Sequence, residues 1–163
     1  MGKKHYLGYF VAIISGLAII GSAFLSLTMI SSLGQLSQGG SLFSEILDFS
    51  TADMGKKVAM IFYLVAVLFA FVEIVYAIVG LIFAKLGKQF RVNVTIQRIF
   101  GLLVFLLVVV MFVVLGTYLS VVEKEYYQYN GLGTLVAILA SLLLVQGEFS
   151  VRKAQKKKVE QKK

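Results

Sequence analysis

The sequence predicts an all-α integral membrane protein in which four transmembrane helices form an antiparallel bundle with both termini in the cytoplasm. Three observations support this fold class. The 163 residues are 59% hydrophobic and only 15% charged, whereas soluble domains are usually about half apolar and a quarter charged. Four apolar segments are separated by polar or charged stretches, and the basic residues are unevenly distributed between those stretches.

Each apolar segment has roughly the length of a membrane span. A spanning helix needs about 20 predominantly apolar residues, and the predicted spans cover residues 6–30, 58–84, 99–122 and 129–149. The first segment is longer than the apolar core of about 7–15 residues in a signal peptide, so we expect a span there. The spans and their loops form one predicted transmembrane domain, residues 1–150, which a basic tail of residues 151–163 follows.

The basic residues predict the orientation. If both termini are cytoplasmic, the inner segments hold 13 of the 16 Lys and Arg residues, and the outer loops hold only Lys56, Lys57 and Lys124. Because cytoplasmic loops of membrane proteins are enriched in Lys and Arg, we expect both termini inside. The location predicted is a plasma membrane, and the small size and lysine-rich composition favour a bacterial one.

The tail is the most basic part of the chain. We predict that its cationic side chains contact an anionic inner leaflet, where each contributes about 1 kcal/mol. These residues are Arg152, Lys153, Lys156, Lys157 and Lys158. The alternative is a tail that only anchors the orientation. Either role explains the sequence pI of about 9.7 without a nucleic acid as partner.

The first outer loop, residues 31–57, is the largest part predicted to lie outside the membrane. It begins with "SSLGQLSQGG", which has too few apolar residues to fold alone. The following "SLFSEILDF" has apolar residues at helical spacing, which predicts a short amphipathic helix on the outer membrane surface or over the mouth of the bundle. A loop whose apolar residues simply pack on the bundle is the alternative.

The second span carries small residues at regular spacing. Steps of four and three from Ala59 reach eight positions, of which six are Ala or Gly. Small residues at this spacing let another helix approach closely within a membrane. The predicted packing seam is formed by Ala66, Ala70, Ala77 and Gly80. Glu73 lies on the same stripe, so we expect its carboxyl group to face a neighbouring helix near the middle of the membrane.

The first span has a similar stripe and is expected to pack on the second. Ser15 and Ser22 bracket the predicted depth of Glu73, and their hydroxyls, with that of Tyr76, are candidate hydrogen-bond partners of the carboxyl group. The fourth span also carries small residues, so it is a candidate for a third helix around Glu73. The third span has few small residues, so we expect it to face lipid or a partner protein.

Glu73 has three possible roles. No Lys, Arg or His lies inside a predicted span, and a charged carboxylate at the bilayer centre costs a few kcal/mol, so the protonated form is expected unless a cation or another protein's base is present. The group is either a neutral hydrogen-bonding residue that fixes the bundle, a docking group for a partner's helix, or a site that binds and releases a proton or cation.

Catalysis is not expected. The chain has no Cys and one His, and it contains no phosphate-binding, nucleophile-elbow or zinc-protease motif. We therefore predict neither an enzyme nor a metal or other cofactor. The layout of a long first and a shorter second outer loop is similar to that of claudin-type and tetraspanin-type proteins, but those families carry Trp and Cys signatures, and this chain has neither residue.

The function predicted is that of a non-catalytic, multi-pass accessory or interaction subunit, whose partner is another membrane protein or a second copy of the chain. One alternative is a small oligomeric transporter or channel that couples to protons or cations through Glu73. Another is a membrane-stress or immunity-type protein that binds a target through residues 31–57.

Overall fold

The computed structural model describes residues 4–26, 28–32, 35–38, 40–50, 52, 54–86, 91–121 and 127–160. Over these ranges the chain is mainly helical, with five helices. They are α1 (Lys4–Ser22), α2 (Leu42–Leu47), α3 (Met54–Lys85), α4 (Arg91–Val121) and α5 (Leu132–Glu160). Three short strands accompany them: β1 (Thr28–Ser32), β2 (Gln35–Gln38) and β3 (Tyr127–Asn130).

Two helices are long and apolar enough to cross a membrane. The qualifying stretches are Met54–Lys85 in α3 and Thr95–Thr117 in α4. Two shorter apolar stretches, Tyr6–Ser22 in α1 and Leu132–Gly147 in α5, fall below that length. The helical part of the predicted fold class is therefore confirmed, together with two candidate membrane spans.

Each of the four long helices packs against two of the others, in the cyclic order α1, α3, α4, α5. Close contacts show that α1 and α5 run in opposite directions, because Gly133 lies against Ser22 and Gly147 lies against Gly8. The helices α1 and α3 are also antiparallel, since Gly16 lies against Ile74 whereas Ser22, later in α1, bonds to Tyr63, earlier in α3.

The first helix is shorter than predicted. It ends at Ser22, whereas the apolar segment continues to residue 30. The backbone N–H groups of Ala23, Phe24 and Leu25 each bond to the carbonyl three residues earlier, a tightening typical of helix ends. Ser26 then forms an isolated antiparallel bridge with Ser41, so the chain leaves the helical path.

Three short strands, which were not predicted, lie in the connections between the helices. The strands form a three-stranded antiparallel sheet in the order β2-β1-β3. Met29 of β1 lies opposite Gln38 of β2 and opposite Tyr129 of β3. The expected flexible start of the 31–57 loop therefore contains a β-hairpin, and the pairing of β1 with β3 joins the two predicted outer loops.

The short helix predicted in "SLFSEILDF" is present as α2 and packs on α3. The Ser41 hydroxyl caps its first turn by accepting a hydrogen bond from the Ser44 N–H. Leu42 is completely buried, and Glu45 forms an ion pair with Lys56 of α3 at 2.5 Å. The helix α2 therefore covers the end of the bundle at which α3 begins.

The helices α4 and α5 extend beyond the predicted spans. The helix α4 begins at Arg91, in the predicted inner loop, and α5 continues through the predicted domain boundary to Glu160. The third span was expected to face lipid or a partner protein, and one side of α4 faces the bundle instead. That side packs on α3 and α5 and buries Val104, Val108, Met111 and Leu115.

The outward faces of the four long helices are apolar, unlike the surface of a soluble protein. Large apolar side chains point outward from all four long helices, and Leu17, Leu68, Leu106 and Leu139 are each more than half exposed. The buried polar side chains that the structure describes lie mostly between the helices. They are Ser15, Ser22, Ser26, Glu73, Gln97, Thr134 and Ser141.

Candidate functional site

The packing face of α3 contains the predicted stripe. Ala66, Ala70, Ala77 and Gly80 are all buried, and Glu73 is 0% exposed in their midst. A run of small residues leaves room for the neighbouring helices to come close to the backbone of α3. The carboxyl group of Glu73 is therefore enclosed by helices of its own chain.

One wall around Glu73 is formed by α4. The ring of Phe100 lies 5.4 Å from the ring of Phe69 and 6.0 Å from that of Tyr76, centroid to centroid. Phe69 and Tyr76 are one turn before and one turn after Glu73, so Phe100 lies at the level of the carboxyl-bearing residue. Tyr76 is half-buried and stacks on Phe100 from that position.

A second wall is formed by α1. A Cβ atom on Gly16 would lie 2.6 Å from Cγ1 of Ile74 and 3.4 Å from the carbonyl oxygen of Ala70. These contacts bring the middle of α1 to the level of Glu73. Ser15, beside Gly16, is 3% exposed, so its hydroxyl lies in the packed interior at the same level.

The helix α5 contributes a further hydroxyl at this depth. Gly133 lies against the end of α1 and Gly147 lies against Gly8 and Val11. Ser141 is between these two contact points, which places it opposite the middle of α1, near Ser15. It is fully buried, and its hydroxyl donates to the Ile138 carbonyl of its own helix at 2.8 Å.

Gln97 is a buried polar residue that the sequence analysis missed. It lies on α4 one turn before Phe100 and is 2% exposed. Within the part of the chain that the structure describes, neither its amide nitrogen nor its amide oxygen has a hydrogen-bond partner. An unsatisfied buried amide costs about 1–3 kcal/mol, so Gln97 is a candidate functional residue of the interior.

A usable signal for Gln97 was present in the sequence. The buried positions Gln97, Gly101, Val104, Val108, Met111 and Leu115 follow steps of four and three, the same spacing that identified the stripe on α3. Gln97 lies next to Arg98 in a basic stretch, so the span boundaries predicted from charge put it in the loop before the third span.

Ser15, Glu73, Gln97 and Ser141 thus lie within about one helical turn of a common level and come from the four long helices. We call these four residues the polar layer. It holds a carboxyl group, a carboxamide and two hydroxyls inside an otherwise apolar bundle. Such a set can bind a proton, water molecules or a small cation, or it can fix the register of the four helices.

Ser22 is not part of the polar layer. Its hydroxyl donates to the carbonyl of Ile19 at 2.6 Å and lies 2.5 Å from the hydroxyl of Tyr63. Tyr63 precedes Glu73 by almost three turns of α3. The expectation that Ser15 and Ser22 both flank the carboxyl group is therefore wrong for Ser22, which ties α1 to a different level of α3.

The predicted lipid-contacting residues Arg152, Lys153, Lys156, Lys157 and Lys158 lie on the extended part of α5, but their side chains are outside the described part of the structure. Their role stays a prediction. Among the side chains that are described, no three His, Asp or Glu groups lie close enough together to ligate one metal ion.

No protein-family model matches the chain, and no curated protein has a detectably similar sequence. Its function is therefore argued from its own residues.

Proposed function

We propose that the chain is a four-span protein of a plasma membrane, bacterial in origin, with both termini in the cytoplasm. In this proposal it is not an enzyme but an accessory subunit, bound to another membrane protein or to a second copy of itself. The apolar outward faces of the helices support the membrane placement. Leucines exposed on all four long helices would face water in a soluble protein, whereas lipid solvates them without cost.

The two shorter apolar helices are compatible with this placement. At 1.5 Å per residue the apolar stretches Tyr6–Ser22 of α1 and Leu132–Gly147 of α5 span about 24–26 Å, a few ångströms less than the roughly 30 Å of a hydrocarbon core. A bilayer accommodates a mismatch of this size by local thinning. The enrichment of Lys and Arg in the inner segments supports the orientation.

The observation that carries the accessory role is an exposed apolar patch at the end of the bundle where α3 begins. We call the residues just after α1, 23–26, and the segment 40–50 with α2 the outer cap. Phe24, just after α1, and Phe43 of α2 form an aromatic pair with ring centroids 4.7 Å apart, and both remain exposed. Leu47, one turn after Phe43, is 85% exposed. Large exposed apolar side chains on a structured cap are typical of a contact site for protein or membrane.

In this proposal Glu73 is a neutral hydrogen-bonding group of the bundle interior. Because the residue is enclosed by α1 and α4, a partner helix would reach it only after the bundle opened. The partner instead contacts the cap patch and the outward apolar faces of the helices.

Photocrosslinking from the cap tests the accessory role. In the test variant a photoreactive amino acid replaces Leu47 of the full chain. In the control variant the same amino acid replaces Leu139, on the outward face of α5. We expect a discrete protein adduct from position 47 in native membranes, loss of that adduct in Phe43→Ser, and only lipid adducts from position 139. Mild-detergent extraction then identifies the adduct as a foreign subunit or a second copy by its mass. Lipid adducts alone from position 47 would refute the accessory role.

A second candidate function is supported by Gln97. Its amide lacks a partner within the described structure and lies about one turn from the level of Glu73. A carboxyl group and a carboxamide together form a suitable site for a proton or a small cation during transport. In purified proteoliposomes, this function predicts proton or sodium flux that Glu73→Gln abolishes while assembly persists. An accessory protein shows no flux in either variant.

A further inference from the structure

An open groove lies on the outside of the bundle where α1 begins and α3 ends. It has a volume of about 380 Å³ and is lined by Tyr6, Leu7, Phe10, Leu81 and Lys85. Three of these side chains are purely apolar, and the remaining two carry a phenol hydroxyl and an ammonium group. The groove therefore has a long apolar wall and a short polar end.

The polar end is at one level of the bundle. Tyr6 is in the first turn of α1, and Lys85 is the last residue of α3. Because the two helices are antiparallel, these residues meet, while Phe10 and Leu81 lie one turn deeper. Lys85 is exposed, so its ammonium group is accessible from outside the groove.

We propose that this groove binds one anionic phospholipid of the inner leaflet. An acyl chain lies along Leu7, Phe10 and Leu81, and the phosphate accepts hydrogen bonds from the Lys85 ammonium group and the Tyr6 hydroxyl. This inference rests on the proposed function, because the four-span, both-termini-inside arrangement puts Tyr6 and Lys85 at the cytoplasmic interface.

Charge favours an anionic lipid over a zwitterionic one. The described side chains that line the groove include a cation and no acid. A net positive potential attracts anionic headgroups, and the quaternary ammonium of a zwitterionic lipid gains nothing from it. Aromatic residues such as Tyr6 are also favoured at the headgroup level.

Tryptophan fluorescence measures this binding directly, because the chain contains no Trp. Phe10→Trp puts a reporter in the groove of the full chain, and Leu68→Trp puts one on the outward face of α3 away from it. Both proteins are reconstituted in vesicles that contain brominated phosphatidylglycerol or brominated phosphatidylcholine, which quench nearby indole rings. We expect the reporter at position 10 to favour phosphatidylglycerol about fivefold, as one cation–headgroup contact provides, and the reporter at position 68 to favour neither lipid.

Lys85→Gln is then expected to remove the preference at position 10, whereas Lys57→Gln, at the opposite end of α3, leaves it unchanged. A preference that survives Lys85→Gln, or an equal preference at both reporters, would overturn the lipid site. If the reporter at position 68 is quenched but the reporter at position 10 shows no preference for phosphatidylglycerol, the lipid site is overturned while the membrane placement stands. Absence of quenching at position 68 would overturn the membrane placement as well.

Discussion

Ser22 and Tyr63 are joined by a hydrogen bond of 2.5 Å between the end of α1 and the first half of α3. The Ser22 hydroxyl already donates its proton to the carbonyl of Ile19, so the Tyr63 hydroxyl is the donor in this bond. Both side chains are at most 1% exposed. The bond therefore fixes the relative height of α1 and α3, and it does so at a level well separated from Glu73.

The two partners of this bond are predicted to differ in their sensitivity to substitution. Ser22→Ala leaves the buried Tyr63 hydroxyl without its acceptor and should lower the free energy of unfolding by about 1–3 kcal/mol. Tyr63→Phe removes the donor, while Ser22 keeps its bond to Ile19, so the loss should be about 0.5–1.5 kcal/mol. Equilibrium unfolding in mixed detergent micelles measures both values. A larger loss for Tyr63→Phe than for Ser22→Ala would contradict this assignment of donor and acceptor.

Gly16 is predicted to be indispensable for the contact between α1 and α3. In Gly16→Ala the new Cβ would lie 2.6 Å from Cγ1 of Ile74, and overpacking of this kind costs about 1–3 kcal/mol. Gly21→Ala is the matched control, because a Cβ at Gly21 meets nothing within 4 Å. That variant should be neutral or gain up to about 1 kcal/mol from helix propensity.

The same unfolding assay distinguishes steric conflict from a general effect of alanine. The double variant Gly16→Ala with Ile74→Ala removes the clashing atoms and should be more stable than the sum of the two single effects predicts. Equal losses for Gly16→Ala and Gly21→Ala would show that α1 and α3 are not in the described contact.

Gly133→Ala is predicted to separate α5 from α1. A Cβ at this position would meet the backbone carbonyl oxygens of Ser22 and Ser26 at 2.6 and 2.9 Å, and the Gly133 N–H donates to the same Ser26 carbonyl at 2.8 Å. Backbone atoms cannot turn aside as side chains do, so we expect a loss of about 3 kcal/mol.

Gly147→Ala provides the comparison, since its nearest neighbour would be a side-chain atom of Val11 at 3.0 Å. It should cost less than Gly133→Ala in the same unfolding measurement. The reverse order would mean that the two ends of the α1–α5 contact are packed differently from the structure.

The stability of the bundle is predicted to change little when Glu73 is replaced by a neutral residue of the same shape, and to fall when it is replaced by a permanently charged one. Glu73→Gln keeps the size and the hydrogen-bonding capacity of a protonated carboxyl group, so the change in stability should stay within about 1 kcal/mol. Glu73→Lys introduces an ammonium group into the bundle interior and should cost about 3 kcal/mol or more. Unfolding titrations of the two variants give the difference, and a Gln variant as unstable as the Lys variant would show that the ionised carboxylate is required.

The packing face of α3 could be predicted from the sequence because nearly every other residue of that helix is large and apolar. In such a segment the small residues mark the helix contact, and Glu73 shares their stripe. The same spacing includes Gln97, but the basic residues Arg91 and Arg98 favour a loop at this point of the sequence. A basic residue near a helix end can extend its side chain toward water while the helix continues, so charge alone did not mark the helix start.

The end of α1 and the sheet could not be read from local sequence. Apolar residues continue from Ser22 to Ile30, and a short apolar run is compatible with either a helix or a strand. The strand "QLSQ" lacks β-branched and aromatic residues. Its neighbour β1 also pairs with β3, about a hundred residues later, and no local pattern encodes such a distant partner. The polar layer likewise depends on the relative heights of four helices, which only their contacts define.

Cysteine labelling tests the membrane arrangement most directly, because the chain contains no native Cys. Single variants Ser50→Cys on the outer cap, Leu139→Cys on the outward face of α5 and Gln155→Cys in the tail are treated with a membrane-impermeant maleimide. We predict rapid labelling of position 50 in intact cells, labelling of position 155 only after permeabilisation, and no labelling of position 139 in either condition. Labelling of position 139 as rapid as that of position 50, or labelling of position 155 in intact cells, would contradict a four-span protein with both termini inside.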